Sequence, residues 1–469
     1  MMALSAIMIV LSLLLLGQVT GRFAGQLLAK ETQKTKGPSF SEFCDLLAEA
    51  YQNIQDRYVE EVDAKEVFKG AVQGMFMALD AHSQYLDADS YSQLERDTEG
   101  EFTGIGIHIT LKRNEAAGED ELTVVAPMPG SPAQEAGLKA WDRIIEIEGE
   151  STRGIKILEA VKKLSGPDGT KVNVTVRRTG EPENLHFTIV RRRIKIESVY
   201  SQMLEDGILH VRIERFSENT AADLRKVLQE GKEKNVRGLI LDLRNDWGGL
   251  LNEAIAVSNL FLDKGDLIVS TKGRLENQNK EYRAENPAFV NWPTLVLVNE
   301  ISASASEILA GALRDHGRAL LVGPKGKRTY GKGSVQTIDP LENSLDRDEN
   351  GNLRPTALRL TTARYYTPNG TAIDNKDPAK RGLAPDLEVE LSLDQESAVY
   401  RQGLLGVPNQ IEPGEENKAA KKGEKGEKAR KPEAKEPAVD IQLQFAVQEM
   451  KRMLGQQTTA AKEVAAGKS

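Results

Sequence analysis

The strongest constraint on the fold lies between residues 193 and 395, where short apolar runs alternate with helical stretches. "RGLILDLR" (237–244) and "TLVLVN" (294–299) lack the polar residue at every second position that a half-solvated strand carries. Such runs suit strands buried on both faces of a sheet. "AADLRKVLQEGKEK" (221–234) and "SEILAGALRDHG" (306–317) read as helices between and after them. Strand and helix in alternation predict crossover units on a largely parallel sheet and disfavour a sandwich. The fold class expected is therefore a multidomain α/β (α+β) protein with its α/β core at 193–395.

The rest of the chain divides around that core, and 469 residues leave room for two or three domains. Within 38–97, "SFSEFCDLLAEAYQNIQDRYVEEV" and "GAVQGMFMALDAHSQYL" carry apolar residues at three- and four-residue spacings, which predicts a helical region. Residues 98–192 change to short β-rich runs ("GIGIHITL", "LTVVAPM", "KVNVTVRR") with a helical "IKILEAVKKL" among them. Residues 396–437 form a mixed-charge, low-complexity stretch without apolar anchors, expected to be a disordered linker. Helical periodicity returns at 438–456, with Ile441, Leu443, Phe445, Val447, Met450 and Leu454 as its apolar positions. That helix serves either docking and dimerisation or packing back onto the core.

The N-terminus opens with "MMALSAIMIVLSLLLLG", 17 residues without a charge. This length is near the minimum for a membrane span and also fits the apolar core of a signal peptide. Residues 1–25 are thus a signal peptide or a retained anchor, and export is the expectation. The location expected is periplasmic or otherwise extracytoplasmic, with anchoring to the inner membrane as one form of it. The single cysteine, Cys44, excludes an intramolecular disulfide and a cysteine-rich metal site. A net charge of −8 gives no support to a nucleic-acid-binding surface.

"FTGIGIHITL", then "SPAQEAGL", then "DRIIEIEG" occur in one order within 98–192. Free amides of a glycine-rich loop can hold a terminal carboxylate, and the neighbouring strand edge can take a peptide as an extra strand. The combination resembles a PDZ domain, and the resemblance places Gly104, Ile105, Gly106 and Ile107 at the peptide-binding loop. Trp141 stands where such domains usually have glycine. A bulky residue does not readily take φ > 0, so the turn there is expected to differ.

"VNEISASASEIL" (298–309) offers a nucleophile, with serine at 302, 304 and 306. His316 shares the segment, yet it lies twelve residues beyond Ser304 on one helix. That is ~18 Å along the axis, beyond hydrogen-bond reach. His316 is better placed to meet the helix C-terminal dipole. The other four histidines stand outside any Ser-His-Asp pattern, so a triad is disfavoured. Lys332, between two glycines in "RTYGKGSVQ", remains as a base, with Gln336 four residues on. Burial or a neighbouring cation would bring a lysine into the range where it can accept a proton. Ser-Lys pairs are a known variant of the triad.

"LDLRNDWGGLL", "VNEISASASEILAGALRDHGRALLVG", "TYGKGSVQ" and "LRLTTARYYTPNGTAI" follow in order, after "ALDAHSQYLD" and the PDZ-like stretch. Together, over residues 40 to 395, they resemble the carboxyl-terminal processing (tail-specific) serine proteases. The resemblance implies a crotonase- or ClpP-like α/β core, Ser304 as nucleophile, Lys332 as base and Gln336 as the residue that orients the lysine. It also implies PDZ movement that gates activity, and N- and C-terminal helices that build a homodimer or larger homo-oligomer. Ser304 is expected where a buried strand turns into a helix, at the positive end of its dipole. The Ala305 amide, with that of Gly248 or Gly249, would form the oxyanion hole. Ser306 reads as part of the helix start, and Ser302 as packing.

This chain departs from the family pattern in three places. Its loop before Lys332, "GPKGKRTYGKG", is longer than usual. Trp247 replaces the small residue or proline before Gly248. "SLDRDENGNLRP" mimics the start of a calcium loop at Asp346, Asp348, Asn350 and Gly351, but its twelfth position is Ala357, so a surface turn is expected. The function expected is a serine endopeptidase that cuts exported polypeptides near free C-termini, without metal or other cofactor. The rival reading is an inactive PDZ peptide-binding scaffold. A β-lactamase-like Ser-Lys enzyme lacks its S-x-x-K spacing here.

Overall fold

The computed structural model describes residues 37, 39–114, 118–348, 350–392, 395, 396, 399 and 440–466. The apolar N-terminal segment and nearly all of the 396–437 linker fall outside these residues. The chain separates into two compact units, residues up to Ala78 and residues from Leu79 onward.

The first unit is helical. Helix α1 (Phe40–Arg57) starts on a reciprocal cap in which the Ser39 hydroxyl accepts the Glu42 amide and Glu42 accepts the Ser39 amide. Helix α2 (Ala64–Phe76) starts on Asp63, whose carboxylate accepts the Lys65 amide. Neither helix buries a residue, and Phe40, Phe43, Leu46, Leu47, Phe68 and Met75 stand exposed.

The second unit opens with strand β1 (Gln84–Leu86) and helix α3 (Ala88–Glu99), which ends on the left-handed Gly100. Strand β2 (Glu101–Gly104) leads into β3 (Ile107–Asn114) and β4 (Glu119–Pro127). Short helix α4 (Pro132–Ala136) accounts for "SPAQEAGL": Ser131 caps it by accepting the Gln134 amide, Pro132 opens it, and left-handed Gly137 closes it. Strands β5 (Arg143–Ile147) and β6 (Glu150–Ser151), helix α5 (Ile157–Leu164), and strands β7 (Lys171–Arg177), β8 (Leu185–Val190) and β9 (Arg192–Lys195) follow. The sheet runs β3-β4-β5-β7-β8, so β3 is an edge strand, and α5 packs beside it. Leu122, Val124, Ile144, Ile147, Val172, Val174 and Val176 fill the core of this module.

The Trp141 turn takes the conformation that its bulk argued against. Trp141 itself adopts the left-handed conformation, at φ 71°. Its amide donates to the Val124 carbonyl at 2.7 Å, and Lys112 Nζ lies 4.8 Å from its ring. The backbone bond holds the turn, and the side chain accommodates it at a strain of roughly 1–3 kcal/mol.

The core that follows comprises β10 (Val199–Met203), β11 (Ile208–Ile213), α6 (Thr220–Glu233), β12 (Gly238–Asp242), α7 (Leu251–Ser258), β13 (Leu267–Gly273), β14 (Lys280–Arg283), β15 (Thr294–Leu297), α8 (Ala305–Asp315), β16 (Ala319–Pro324), β17 (Ser334–Leu341), β18 (Thr356–Tyr366), β19 (Leu387–Val389) and α9 (Ile441–Ala466). Its main sheet runs β10-β11-β12-β15-β16-β19, parallel throughout except for β10. Strands β12 and β15 are buried along their whole length, as their unbroken apolar runs require. A second sheet, β1-β18-β13-β14 with β17 on β18, carries the Lys332 side of the site.

Helix α9 packs back on the core through its first half. Ala446, Met450 and Leu454 close over Ile208, Ile240, Leu295 and Val322. Buried Gln442 donates to the carbonyls of Val298 and Val322, both at 3.0 Å. Arg244 bridges Asp242 and Asp440, tying the helix start to the end of β12. In the hydrophilic loop 343–354, Asp348 accepts the amides of Asn350 and Asn352, while Asp346 accepts the Ala88 amide at the start of α3.

Candidate active site

The three serines of "SASAS" have different fates. Ser302 is fully buried, its hydroxyl donating to the Leu243 carbonyl at 2.8 Å and accepting the Asn299 amide at 3.0 Å. Ser306 is also fully buried and donates to the Asp246 carbonyl at 3.2 Å. Both hydroxyls are spent on holding strand ends and loops together. Ser304, between them, is only half-buried and caps α8 with φ 56° and ψ −111°. A non-glycine residue in that region stores strain that its surroundings must enforce. The phenol of buried Tyr365 donates to the Lys332 carbonyl.

Fully buried Glu307 joins the two halves of the site. Its Oε2 accepts the Ser304 and Lys332 amides, each at 2.9 Å. Its Oε1 accepts the Gly331 amide at 2.7 Å and the Thr329 hydroxyl. One carboxylate thus fixes the serine turn against the lysine loop. Burial pushes its carboxyl up, and these four donors pull against that shift. The sequence assigned Glu307 only to the helix start. The contacts to Gly331 and Lys332 span 24 and 25 residues, which no local signal reveals.

Lys332 is half-buried. Burial lowers its ammonium below the usual lysine range, the Arg359 guanidinium acts in the same direction, and Glu307 opposes both. Among the described residues Lys332 Nζ has no hydrogen-bond partner, and none joins it to Ser304 Oγ. Gln336 Nε2 donates to the His82 carbonyl at 2.7 Å, leaving Oε1 as its acceptor. Arg359 Nε donates to the same carbonyl at 3.2 Å. The carbonyl is held by a turn at Asp80, whose Oδ1 accepts the His82 and Ser83 amides, while Ser83 Oγ accepts the Thr361 amide of β18. "ALDAHSQYLD" therefore contributes a backbone acceptor to the site, a role its side chains did not signal.

On the serine side, Gly248 lies so close that a Cβ there would sit 2.8 Å from both Ser304 Cβ and the Ala305 nitrogen. The Gly248 amide donates to Asp246 Oδ1 at 2.8 Å. The Phe216–Gly249 bridge uses the Gly248 carbonyl and the Leu250 amide, so the Gly249 amide stays out of that ladder. Asp246 is fully buried, and burial pushes its carboxyl up to about 8. Its Oδ2 has no partner among the described residues. Trp247 turns its ring outward, 62% exposed, so the glycines keep their approach to Ser304. His316 caps the far end of α8 and bonds the Leu267 carbonyl at 2.7 Å, away from the serine.

In the β-rich module, Gly104 and Ile105 are buried and Gly106 is left-handed at φ 76°. The Ile105 and Gly106 carbonyls accept the Ala133 and Met128 amides, which fixes the loop on α4. Ile107 begins the edge strand that faces α5.

The α/β core matches a peptidase family and the β-rich module before it a PDZ domain, which gives the class as a serine-type peptidase. The chain matches peptidase family S41 over residues 207–389, a PDZ domain over 123–178 and the N-terminal domain of the activating protease CtpB over 18–90. It is 39% identical over 355 residues to a carboxy-terminal-processing protease of Bartonella bacilliformis, covering 75% of this chain and 76% of that one. It is 36% identical over 361 residues to the carboxy-terminal processing protease CtpA of Bacillus subtilis, covering 76% and 71%. Among solved structures, the photosystem II D1 C-terminal processing protease matches 76% of this chain and 96% of its own at 27% identity, with a TM-score of 0.41. The chain belongs to peptidase family S41, among the carboxy-terminal processing proteases.

Proposed function

We propose that the chain is an exported endopeptidase that cuts polypeptides near their C-termini with Ser304 as nucleophile and Lys332 as base. The observation that carries this reading is the Glu307 clamp, which binds the backbone of both residues through one buried carboxylate. Neutral Lys332, favoured by its partial burial and by Arg359, takes the Ser304 proton as Oγ attacks the scissile carbonyl. Gln336, tethered through Nε2, offers Oε1 to orient the lysine. The tetrahedral oxyanion is received by the Ala305 amide and that of Gly249, since the Gly248 amide is occupied by Asp246. Lysinium then protonates the leaving amine, and a water activated by the same lysine releases the acyl chain. Catalytic hydrogen bonds often tighten only in the substrate complex, which accommodates a lysine unpartnered at rest.

The PDZ loop Gly104–Ile107 takes substrate C-termini, with β3 as the edge for strand addition. A gating role is supported by Asp89, which receives Lys162 of α5 at 2.6 Å and Arg354 of the core at 2.7 Å. The exposed apolar faces of α1 and α2 support a homodimer or larger homo-oligomer. The uncharged leucine-rich N-terminus supports export, with or without anchoring.

The test is degradation of an unfolded protein by wild type, Ser304→Ala and Lys332→Ala, with products mapped by mass spectrometry. Both variants are expected to lose cleavage. Full cleavage by either one overturns the assignment.

A further inference from the structure

The loop before Lys332 borders a groove of about 600 Å³. Its lining includes Lys327, Arg328, Tyr330, Pro378, Arg381 and Glu388. Three cations therefore meet one carboxylate, and Glu388 already accepts the Gly326 amide at 3.2 Å. Lys327 lies 3.6 Å from Glu300. Arg328 and Arg381 have no carboxylate partner among the described residues. Arg328 donates Nε and one terminal nitrogen to the carbonyls of Arg381 and Gly382, both at 2.8 Å, which leaves its other terminal nitrogen open. Arg381 spends only Nε, on the Gly331 carbonyl at 3.4 Å. Both guanidinium groups thus keep donors suited to a carboxylate.

Two of the groove's residues, Tyr330 and Arg381, adjoin the backbone beside the site. Arg381 packs on Gly331, the residue before Lys332, and its guanidinium carbon lies 5.7 Å from the Tyr330 ring centre. Tyr330 meets Trp247 edge to face at 5.8 Å and 60°. Each aromatic is held by a backbone next to Ser304: the Tyr330 amide bonds the Ser302 carbonyl at 3.0 Å, and Trp247 precedes Gly248, which touches Ser304. Both residues are nevertheless exposed, Tyr330 at 39% and Trp247 at 62%. Rigid backbone with an exposed ring is what a contact surface for an apolar side chain requires.

We propose that this groove is a substrate subsite for a peptide carboxylate flanked by an apolar side chain. The apolar side chain lies against Trp247 and Tyr330, and the carboxylate is bound by Arg381 and Arg328. The carboxylate is either the substrate's own terminus or an acidic side chain. The inference rests on cleavage occurring at Ser304.

The test uses the full chain and one peptide sequence in three forms: free C-terminal acid, C-terminal amide, and amide with a glutamate near the end. The readout is the ratio of kcat/KM for each acidic form to that of the neutral amide. A charged hydrogen bond contributes ~1.5–3 kcal/mol, so wild type is expected to favour an acidic form about 10-fold or more. A free-acid preference that falls in the arginine variants assigns the terminus, one that survives them belongs to the PDZ loop, and a glutamate preference that falls in them assigns a side chain. Arg381→Gln, which gives up one long bond, should bring the ratio toward one, and Arg328→Gln should act in the same direction. Lys325→Gln, outside the groove, should keep the wild-type ratio. A wild-type ratio of one, or a ratio unchanged in both arginine variants, overturns the inference while cleavage itself stands. Anisotropy of the labelled peptides on Ser304→Ala reads the groove without turnover. Equal affinity for an acidic form with and without Arg381→Gln in that background also overturns it, whatever becomes of the Ser304 assignment.

Discussion

Replacing Glu307 by glutamine keeps the side-chain shape and exchanges one acceptor oxygen for an NH2 group. Placed at Oε2, that NH2 would face the Ser304 and Lys332 amides, neither of which can reverse its role. Placed at Oε1, it faces the Gly331 amide and the Thr329 hydroxyl, which can turn to accept. The second arrangement is lower in energy and orphans only the Gly331 amide, at a cost of about 1–3 kcal/mol. Relief of that cost moves the backbone beside Lys332, and a displacement of that kind lowers kcat by up to ~100-fold. The charge change adds a separate signature. Glu307 raises the Lys332 ammonium, so its neutralisation lowers it further, and the acid limb of kcat/KM moves to lower pH while the rate falls. Peptide cleavage followed across pH reads both effects, and a thermal melt confirms folding. An unchanged kcat, or a limb moving to higher pH, refutes the clamp.

Arg359→Gln removes a cation that holds Lys332 down, so the acid limb of kcat/KM should move to higher pH; an unmoved limb contradicts the electrostatic assignment. Asp246→Asn keeps an acceptor for the Gly248 amide and removes a carboxyl raised from 3.8 to about 8 by burial. Stability from such a raised group is lost as pH climbs between those values, so the asparagine variant should melt higher by a margin that grows across that window. A margin independent of pH refutes the buried-acid reading. Met450→Ala opens a hole under α9 against Gly238 and should cost ~2–5 kcal/mol in a denaturant titration; a loss below about 1 kcal/mol means the helix is not docked as described.

Local patterns were legible where short-range physics decides them. "SPAQEAGL" spells a cap, an opening proline and a closing glycine, and α4 forms from just those parts. The unbroken apolar runs of β12 and β15 announced strands buried on both faces. The middle serine of three was singled out by resemblance, and burial of the hydroxyls on either side supplies a physical reason for the difference. What stayed hidden depends on contacts distant in sequence. Gln336 reaches the His82 carbonyl across 254 residues, and Gln442 reaches Val298 across 144. Trp141 misled in the other direction. Side-chain bulk argued against φ > 0, but a backbone bond to Val124 and contact with Lys112 offset the strain.

Covalent labelling tests the Ser304–Lys332 pairing most directly. The full chain would be treated with a fluorophosphonate across a pH series and the modified peptide identified by mass spectrometry. A single adduct at Ser304, formed faster as pH rises through a range below that of an ordinary lysine and abolished by Lys332→Ala, is the expected result. An adduct at Ser302 or Ser306, or labelling of Ser304 that persists undiminished without Lys332, would contradict it.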